Sequence, residues 1–433
     1  MSVLLVGDVL LDVPTNHPEG FRLGGVTHAA RMADALGEPF DVAFVCPRWM
    51  KDQVSEEFAS LGARNTTQIG ESFGHPGVIL IQDLAEAGPQ NYELLLRKSA
   101  RVVLDARAVD DVLERETESA LLLGDDSWRG EVLNEMVSRG SDVWVDLSDG
   151  TWLEARAGMG EMAGLFVSTS SRAWMDRFEG QFENLASCIQ DDVDGSVAGE
   201  VVLKENRGGV RVINPGGVHQ AGAVVGSTVH SVGVGDAFDV AYVVKRRDFE
   251  PAVAAAISSS LAADYAATVD QADFVRRTAL TLMKPVAFRG LRVPWESRSD
   301  IEIYLAAPDF PSVDTAPLNS LERALVYHNF RPIRPVHVNG LLAPDASDSN
   351  QLGVALADWG LLRSCQILIA TLLVPDPGTD VEIGMATQLG IPAIVYDPFG
   401  RARNPMVTAL TAVHRTLNGV VEAVFNAADK IVR

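Results

Sequence analysis

The sequence predicts an α/β protein of two domains, and three observations predict it. Strand-like apolar runs alternate with helix-patterned stretches along the chain, as expected where helices pack on a sheet. The 433 residues exceed what one hydrophobic core usually organises, at roughly 100 to 200 residues per domain. Near the C-terminus an apolar run from Ile367 to Val374, a Pro/Gly loop, a helical segment containing Glu382 and a second run from Ala393 to Tyr396 make one β-loop-α-β unit.

From the N-terminus, Val3 to Val6 reads as a strand ended by a bend at Gly7-Asp8. Thr27 to Leu36 reads as a helix stopped by Gly37, and Asp41 to Cys46 as the next strand. Further strands are expected at Val78 to Ile81, Arg101 to Leu104, Asp142 to Asp146, Gly164 to Ser168 and Glu200 to Lys204, with a helix from Val253 to Thr268. Residues 285–300 carry Pro285, Gly290, Pro294 and several charges without sustained periodicity, and read as a linker between domains at 1–284 and 301–433. Beyond it, Leu318, Leu321 and Leu325 fall at helical spacing, and the PIRPVHVN stretch after Phe330 looks strand-like. A polar loop, Pro344 to Asn350, holds Asp345 and Asp348, and a helix from Leu352 to Leu362 carries Asp358 beside Trp359.

Composition narrows the partners. A formal net charge of −22 repels nucleic-acid backbones and anionic membranes, while a free nucleoside or nucleotide remains acceptable. No apolar run approaches the roughly 20 residues needed to span a bilayer. Residues 1–13 are apolar but lack a basic leading region, so a secretory signal is not expected. Cys46, Cys188 and Cys365 lie in or beside apolar runs and read as buried reduced thiols of a cytoplasmic protein. No Cys-x-x-Cys or His/Cys spacing suggests zinc, and no metal ligands are expected. Trp128, Trp144, Trp152 and Trp174 read as core or interface residues.

In open parallel sheets ligands bind beyond the carboxyl ends of the strands, so the site is expected in the loop from Pro375 to Val381. Asp376, Asp380 and Glu382 crowd that position. Glu382 is expected at the helix start, where the dipole favours an anion, and therefore ionised; Gly384 and Ala386 leave space beside it. Such carboxylates also serve as ordinary helix caps. In the first half, Gly7-Asp8 through Asp12, Gly24-Gly25 and the stretch Ser231 to Phe238 hold glycines whose amides can approach phosphate. Asp236 stands where it could take a proton from a hydroxyl, or simply cap a helix.

Tyr304-Leu305-Ala306-Ala307-Pro308, Asp358 and Asp376-Pro-Gly-Thr-Asp-Val-Glu382-Ile-Gly-Met-Ala, in that order, resemble the nucleoside 2-deoxyribosyltransferase family over about the last 130 residues. The resemblance implies a Rossmann- or flavodoxin-like domain. Within it Glu382 attacks the anomeric carbon, Asp376 helps protonate the leaving base and Asp358 contacts base or sugar. It also implies substrate contacts from Tyr304, Pro308, Gly378, Thr379 and Asn404, the last sometimes from a neighbouring subunit, and a need for no cofactor. Chemistry asks for similar equipment: an oxocarbenium-like transition state needs one carboxylate at the anomeric carbon and an acid at the leaving group. Attack by a second base then gives transfer, and attack by water gives hydrolysis.

Over about the first 280 residues the chain resembles the ribokinase, or PfkB, family of carbohydrate and nucleoside kinases. The likeness rests on the Asp12 and Gly24-Gly25 patterns, Ser231-Val-Gly-Val-Gly-Asp236-Ala-Phe, the Val253 to Thr268 helix and the turn Lys204 to Gly209. It implies Asp236 as base, the amides of Gly233, Val234 and Gly235 as anion hole, Asp12, Gly24 and Gly25 as sugar contacts, and ATP with magnesium as cofactors where the domain is active. Departures are His28 near the family's sugar-binding Asn, His230-Ser231 in place of Asp-Thr, and no Asn-x-x-Glu after Asp146. His28 and His230 read as hydrogen-bonded structural residues. Three states are expected for this domain: kinase, inactive binding module, or dimerisation scaffold. The leading expectation is N-glycosyl transfer or hydrolysis through Glu382 in a homo-oligomer. The alternatives are an active kinase with a C-terminal nucleoside sensor, and a non-enzymatic ligand-binding assembly protein.

Overall fold

A computed structural model of the chain describes residues 2–15, 21–89, 92–95, 101–124, 126–147, 162–187, 198–284, 290–342 and 346–433. Two compact units are present, one of Met1–Ala85 with Gln90–Arg292, the other of Glu86–Pro89 with Val293–Arg433.

The first unit contains strands β1 (Val3–Pro14), β2 (Arg22–Gly25), β3 (Phe40–Cys46), β4 (Asn65–Ser72), β5 (Gly77–Ile81), β6 (Tyr92–Leu95) and β7 (Val102–Leu104). It continues with β8 (Ser119–Leu122), β9 (Val143–Leu147), β10 (Met162–Ser168), β11 (Ala198–Lys204), β12 (Val210–Asn214) and β13 (Gly217–Ala221). Its main sheet runs β13-β12-β11-β10-β9-β8-β1-β3-β4-β7. From β11 to β4 every pairing is parallel, and β12, β13 and β7 are antiparallel at the edges. Every residue of β3 is buried, as in a parallel strand covered on both faces, and its one charged residue, Asp41, is paired with Arg64 and Asn65. Among the helices α1 (Val26–Leu36), α2 (Lys51–Ser60), α3 (Ala106–Leu113), α4 (Asp126–Ser138), α5 (Val234–Arg246), α6 (Pro251–Ala266) and α7 (Gln271–Leu282), α5 packs on α1 and α6.

The bend expected at Gly7-Asp8 does not occur. Gly7 and Asp8 stay in register with Phe44 and Val45 of β3, and the strand runs on so that Val9–Asp12 pair with β2 and Leu10–Pro14 with β5. Ladder bonds on both sides outweigh the weak strand preference of Gly and Asp. Asp12 is thereby placed beside Gly24 of β2.

In the second unit the order is α8 (Trp295–Arg298), β14 (Glu302–Ala306), α9 (Ala316–Tyr327), β15 (Arg331–Ile333), α10 (Pro335–Asn339) and α11 (Asp348–Ser364). There follow β16 (Ile367–Thr371), α12 (Pro377–Gln388), β17 (Ala393–Tyr396), α13 (Pro405–Leu410), β18 (Ala412–His414) and α14 (Leu417–Val432). The sheet order is β15-β14-β16-β17-β18 with all strands parallel. Counted within the unit this is the flavodoxin-like order, whose ligand crevice opens where the winding reverses, between β14 and β16. Tyr304, Leu368, Ala370, Ile383 and Ala386 form its core there. Glu86–Pro89 belong to this unit: the Tyr327 hydroxyl donates to Glu86 Oε1 (2.6 Å) and His328 Nε2 to the Ala87 carbonyl (3.2 Å).

Several boundaries differ from expectation. The PIRPVHVN stretch yields only the short β15; Pro335 then occupies the first turn of α10, where its missing N–H costs nothing. The strand expected to reach Val374 stops at Thr371. Asp376 caps α12 and Pro377 begins it, so Asp380 is helical rather than in a loop. Helix α11 starts at Asp348 behind the Ser347 cap, ending the expected polar loop, whose Asp345 lies outside the described residues. In the expected linker, Trp295–Arg298 is helical and residues 285–289 lie outside the described residues. Cys46 and Cys365 are buried free thiols; Cys188 and Trp152 lie outside the described residues. Trp128, Trp144 and Trp174 are buried. Among the described residues no helix is long and apolar enough to cross a membrane.

Candidate active site

At the crevice of the second unit, the Asp376 carboxylate accepts hydrogen bonds from the Thr379 amide (2.9 Å) and hydroxyl (2.7 Å), which fixes where α12 begins. Glu382 lies more than one turn further along, and there the hydroxyl of fully buried Tyr304, on β14, donates to its Oε1 at 2.5 Å. Burial pushes the Glu382 carboxyl up to about 7; the Tyr304 bond opposes this, and the Asp358 and Asp376 charges add to it. The carboxylate is therefore not the simply ionised group expected. It sits inside the helix, where the dipole of the first turn no longer offsets desolvation and like charge. Tyr304 is itself raised by burial and by the charge of Glu382, so it remains a donor.

Asp358, on α11, accepts a hydrogen bond from Asn339 Nδ2 (2.6 Å) at the end of α10. Pro308 is buried just beyond β14, next to Asp309, which buried Arg334 grips at 2.7 Å while also donating to Asn319 and Glu322. Thr379 is buried and Gly378 exposed in the first turn of α12. Asn404 is exposed and caps α13, accepting from the Met406 amide (3.0 Å). Tyr304, Asp358, Asp376 and Glu382 are thus brought together, and Asn404 stands at a separate helix start. Asn339 is not among the sequence candidates; its stretch reads as a strand.

Residues 303–416 match the family model described as nucleoside 2-deoxyribosyltransferase. The second unit carries a domain of that family. A search of curated proteins returned no match.

Outside the deoxyribosyltransferase domain, the first unit gathers its own candidates. His28 Nε2 donates to Asp12 Oδ2 (2.9 Å) and its Nδ1 accepts from the Tyr265 hydroxyl (2.6 Å). Burial lowers the His28 pKa despite Asp12, which keeps the ring neutral. His230 Nε2 donates to the Thr268 carbonyl (2.9 Å), and burial pushes the ring down to about 4. Both histidines are hydrogen-bonded and buried, as expected. Gly24 is required by close approach: a Cβ there would lie 2.4 Å from Asp12 Oδ1. Gly233 (φ 72°) has the left-handed conformation at the start of α5, and a Cβ on it would lie 2.1 Å from the His28 ring. Gly25 ends β2 beside them. At the expected anion hole, the Val234 amide donates to the Ser231 carbonyl (3.2 Å), and Gly235 follows in the first turn of α5.

Asp236, in that same turn, is pushed up to about 7 by burial and by Asp146, against the pull of Lys204. Carboxylate oxygens of Asp146, Asp236 and Asp239 lie within 4.8 Å of one another. Lys204 Nζ stands among them, 2.8 and 2.9 Å from the Asp239 oxygens and 3.7 Å from Asp146. Neither Lys204 nor Asp239 is a sequence candidate, although a lysine ending the run Val201-Val202-Leu203 and an aspartate inside the apolar face of α5 are visible oddities.

The fold of this unit is that of ribokinase-like kinases. It is similar to the tetrameric inhibited form of phosphofructokinase-2 from Escherichia coli, at 16% identity over 65% of this chain and 100% of that chain, TM-score 0.50. It is also similar to a microbiome-derived acarbose kinase, at 19% identity over 64% of this chain and 99% of that one, TM-score 0.50.

Proposed function

We propose that the deoxyribosyltransferase domain cleaves the N-glycosidic bond of a nucleoside or nucleotide through a covalent glycosyl-Glu382. The single observation that carries this reading is the 2.5 Å hydrogen bond from Tyr304 to Glu382 within the crevice that Asp358 and Asp376 also face electrostatically. A Glu382 oxygen attacks the anomeric carbon, the carbon–nitrogen bond breaks with its electron pair going to the base, and Asp376, in the form that carries a proton, gives that proton to the departing base. Tyr304 holds the attacking oxygen, and Asp358, oriented by Asn339, contacts the base or sugar. A second free base, or water, then attacks the same carbon while its proton passes to Asp376, and the bond from that carbon to the Glu382 oxygen breaks, restoring both carboxyl groups. Pro308, Gly378 and Thr379 line the substrate side, and Asn404 contacts the sugar, across a subunit boundary if the protein is a homo-oligomer. Exposed Leu352, Leu356 and Trp359 on α11 support self-association. No cofactor is needed, and buried reduced Cys46 and Cys365 favour a cytoplasmic setting.

Brief exposure of the protein to a panel of nucleosides and monophosphates, followed by intact-mass spectrometry, is expected to trap a pentosyl adduct. Glu382→Ala is expected to lose both the adduct and base release while remaining folded. A variant as active as its parent would reject Glu382 as nucleophile.

A further inference from the structure

We propose that the first unit excludes the divalent cation on which ribokinase-like phosphotransfer would depend, because Lys204 supplies the cation of its acidic cluster from within the chain. The cluster of Asp146, Asp236 and Asp239 has the spacing that one hard cation could bridge, with carboxylate oxygens inside 4.8 Å. A lysine already engages two of these three carboxylates. The Lys204 ammonium binds both oxygens of fully buried Asp239 at 2.8 and 2.9 Å and reaches Asp146 at 3.7 Å. It also lies 3.5 Å from where a Cβ on Gly235 would be, so it stands against the first turn of α5.

The lysine is held in place from behind. It is the last residue of β11 and is nearly buried, and its ammonium lies 5.5 Å from the centre of the Phe166 ring. Burial favours its neutral form, but the Asp146 and Asp239 charges outweigh that and keep it an ammonium. An ammonium offers only donors, so it cannot join a magnesium shell of oxygens. A metal at these carboxylates would have to expel it from a buried ion pair against like-charge repulsion. The residues present therefore do not fit magnesium, and a triphosphate that travels with magnesium is not the ligand of this unit.

The test counts Mn²⁺ bound to the full chain by electron paramagnetic resonance at constant ionic strength. The parent is expected to show no Mn²⁺ binding that Asp146→Asn or Asp239→Asn removes. Lys204→Met, checked for folding by circular dichroism, is expected to gain a site at least about tenfold tighter than any in the parent; adding Asp239→Asn is expected to abolish it. Lys204→Arg, which restores a cation, is expected to gain none. Parent binding that disappears in Asp146→Asn overturns the proposal, and so does a folded Lys204→Met that gains no site. Should Lys204→Met fail to fold, the parent against Asp146→Asn comparison decides alone: binding lost with Asp146 refutes the exclusion, and equal binding in both upholds it.

Discussion

Glu382 has to be an anion to attack carbon, yet its surroundings hold the carboxyl at about 7. The ionised fraction of such a group grows as pH rises through that value. Ionisation of Glu382 is therefore expected to give base release a limb that rises with pH through about 7, and a rate profile measured from acid to mildly alkaline pH checks this. Tyr304 stabilises the charged form, since its hydroxyl donates to Oε1. Removing it in Tyr304→Phe is expected to move the rising limb upward by about one pH unit or more, because a hydrogen bond to a charged group is worth roughly 1.5–3 kcal/mol. A profile that does not move would mean that Tyr304 packs beside Glu382 without tuning it. Neither effect is readable from the sequence, where Glu382 looks like an ordinary ionised acid near a helix start. Burial and the approach of Asp358 are properties of the folded crevice.

The helix α12 gives Asp376 two separable roles. Its carboxylate caps the helix through the Thr379 amide and hydroxyl, and it is proposed to give the leaving base a proton. Asparagine caps as well as aspartate, so Asp376→Asn is expected to change stability by less than about 0.5 kcal/mol while lowering base release strongly. Asp376→Ala is expected to lose the same activity and about 1 kcal/mol of stability as well. Thermal melts beside activity measurements tell the two roles apart. How well elements can be read from sequence follows from what sets them. The strands β16 and β17 and the body of α12 follow from local patterning, whereas the first turn of α12, set by the Asp376 cap and Pro377, reads in the sequence as loop. The extension of β1 does not follow from such patterning, because it depends on partners β2 and β5 distant in sequence. Alternating valines in Pro335–Asn339 suggest a strand, but the proline and the tight return to α11 make a single helical turn, which is why Asn339 is missed as the partner of Asp358.

For the molecule as a whole, the second unit is not one continuous length of chain. Glu86–Pro89 are separated from the rest of it by more of the sequence than the deoxyribosyltransferase domain itself contains, yet they belong to its fold. Glu86 accepts from Tyr327, and Gly88 comes so near to α9 that a Cβ on it would lie 3.3 Å from Ala324. Glu86→Ala is expected to lower the stability of this unit by about 1 kcal/mol. The measurement is faster thermal loss of base release, with the Glu382 adduct still forming at low temperature. Residues 303–416 carry the likeness to the family, but not all of the structure that the likeness describes. Anyone splicing the gene at Arg292 to obtain a free-standing enzyme would leave behind a short peptide that the excised half packs against. Supplying that tetrapeptide on a grafted tether is the remedy this architecture suggests.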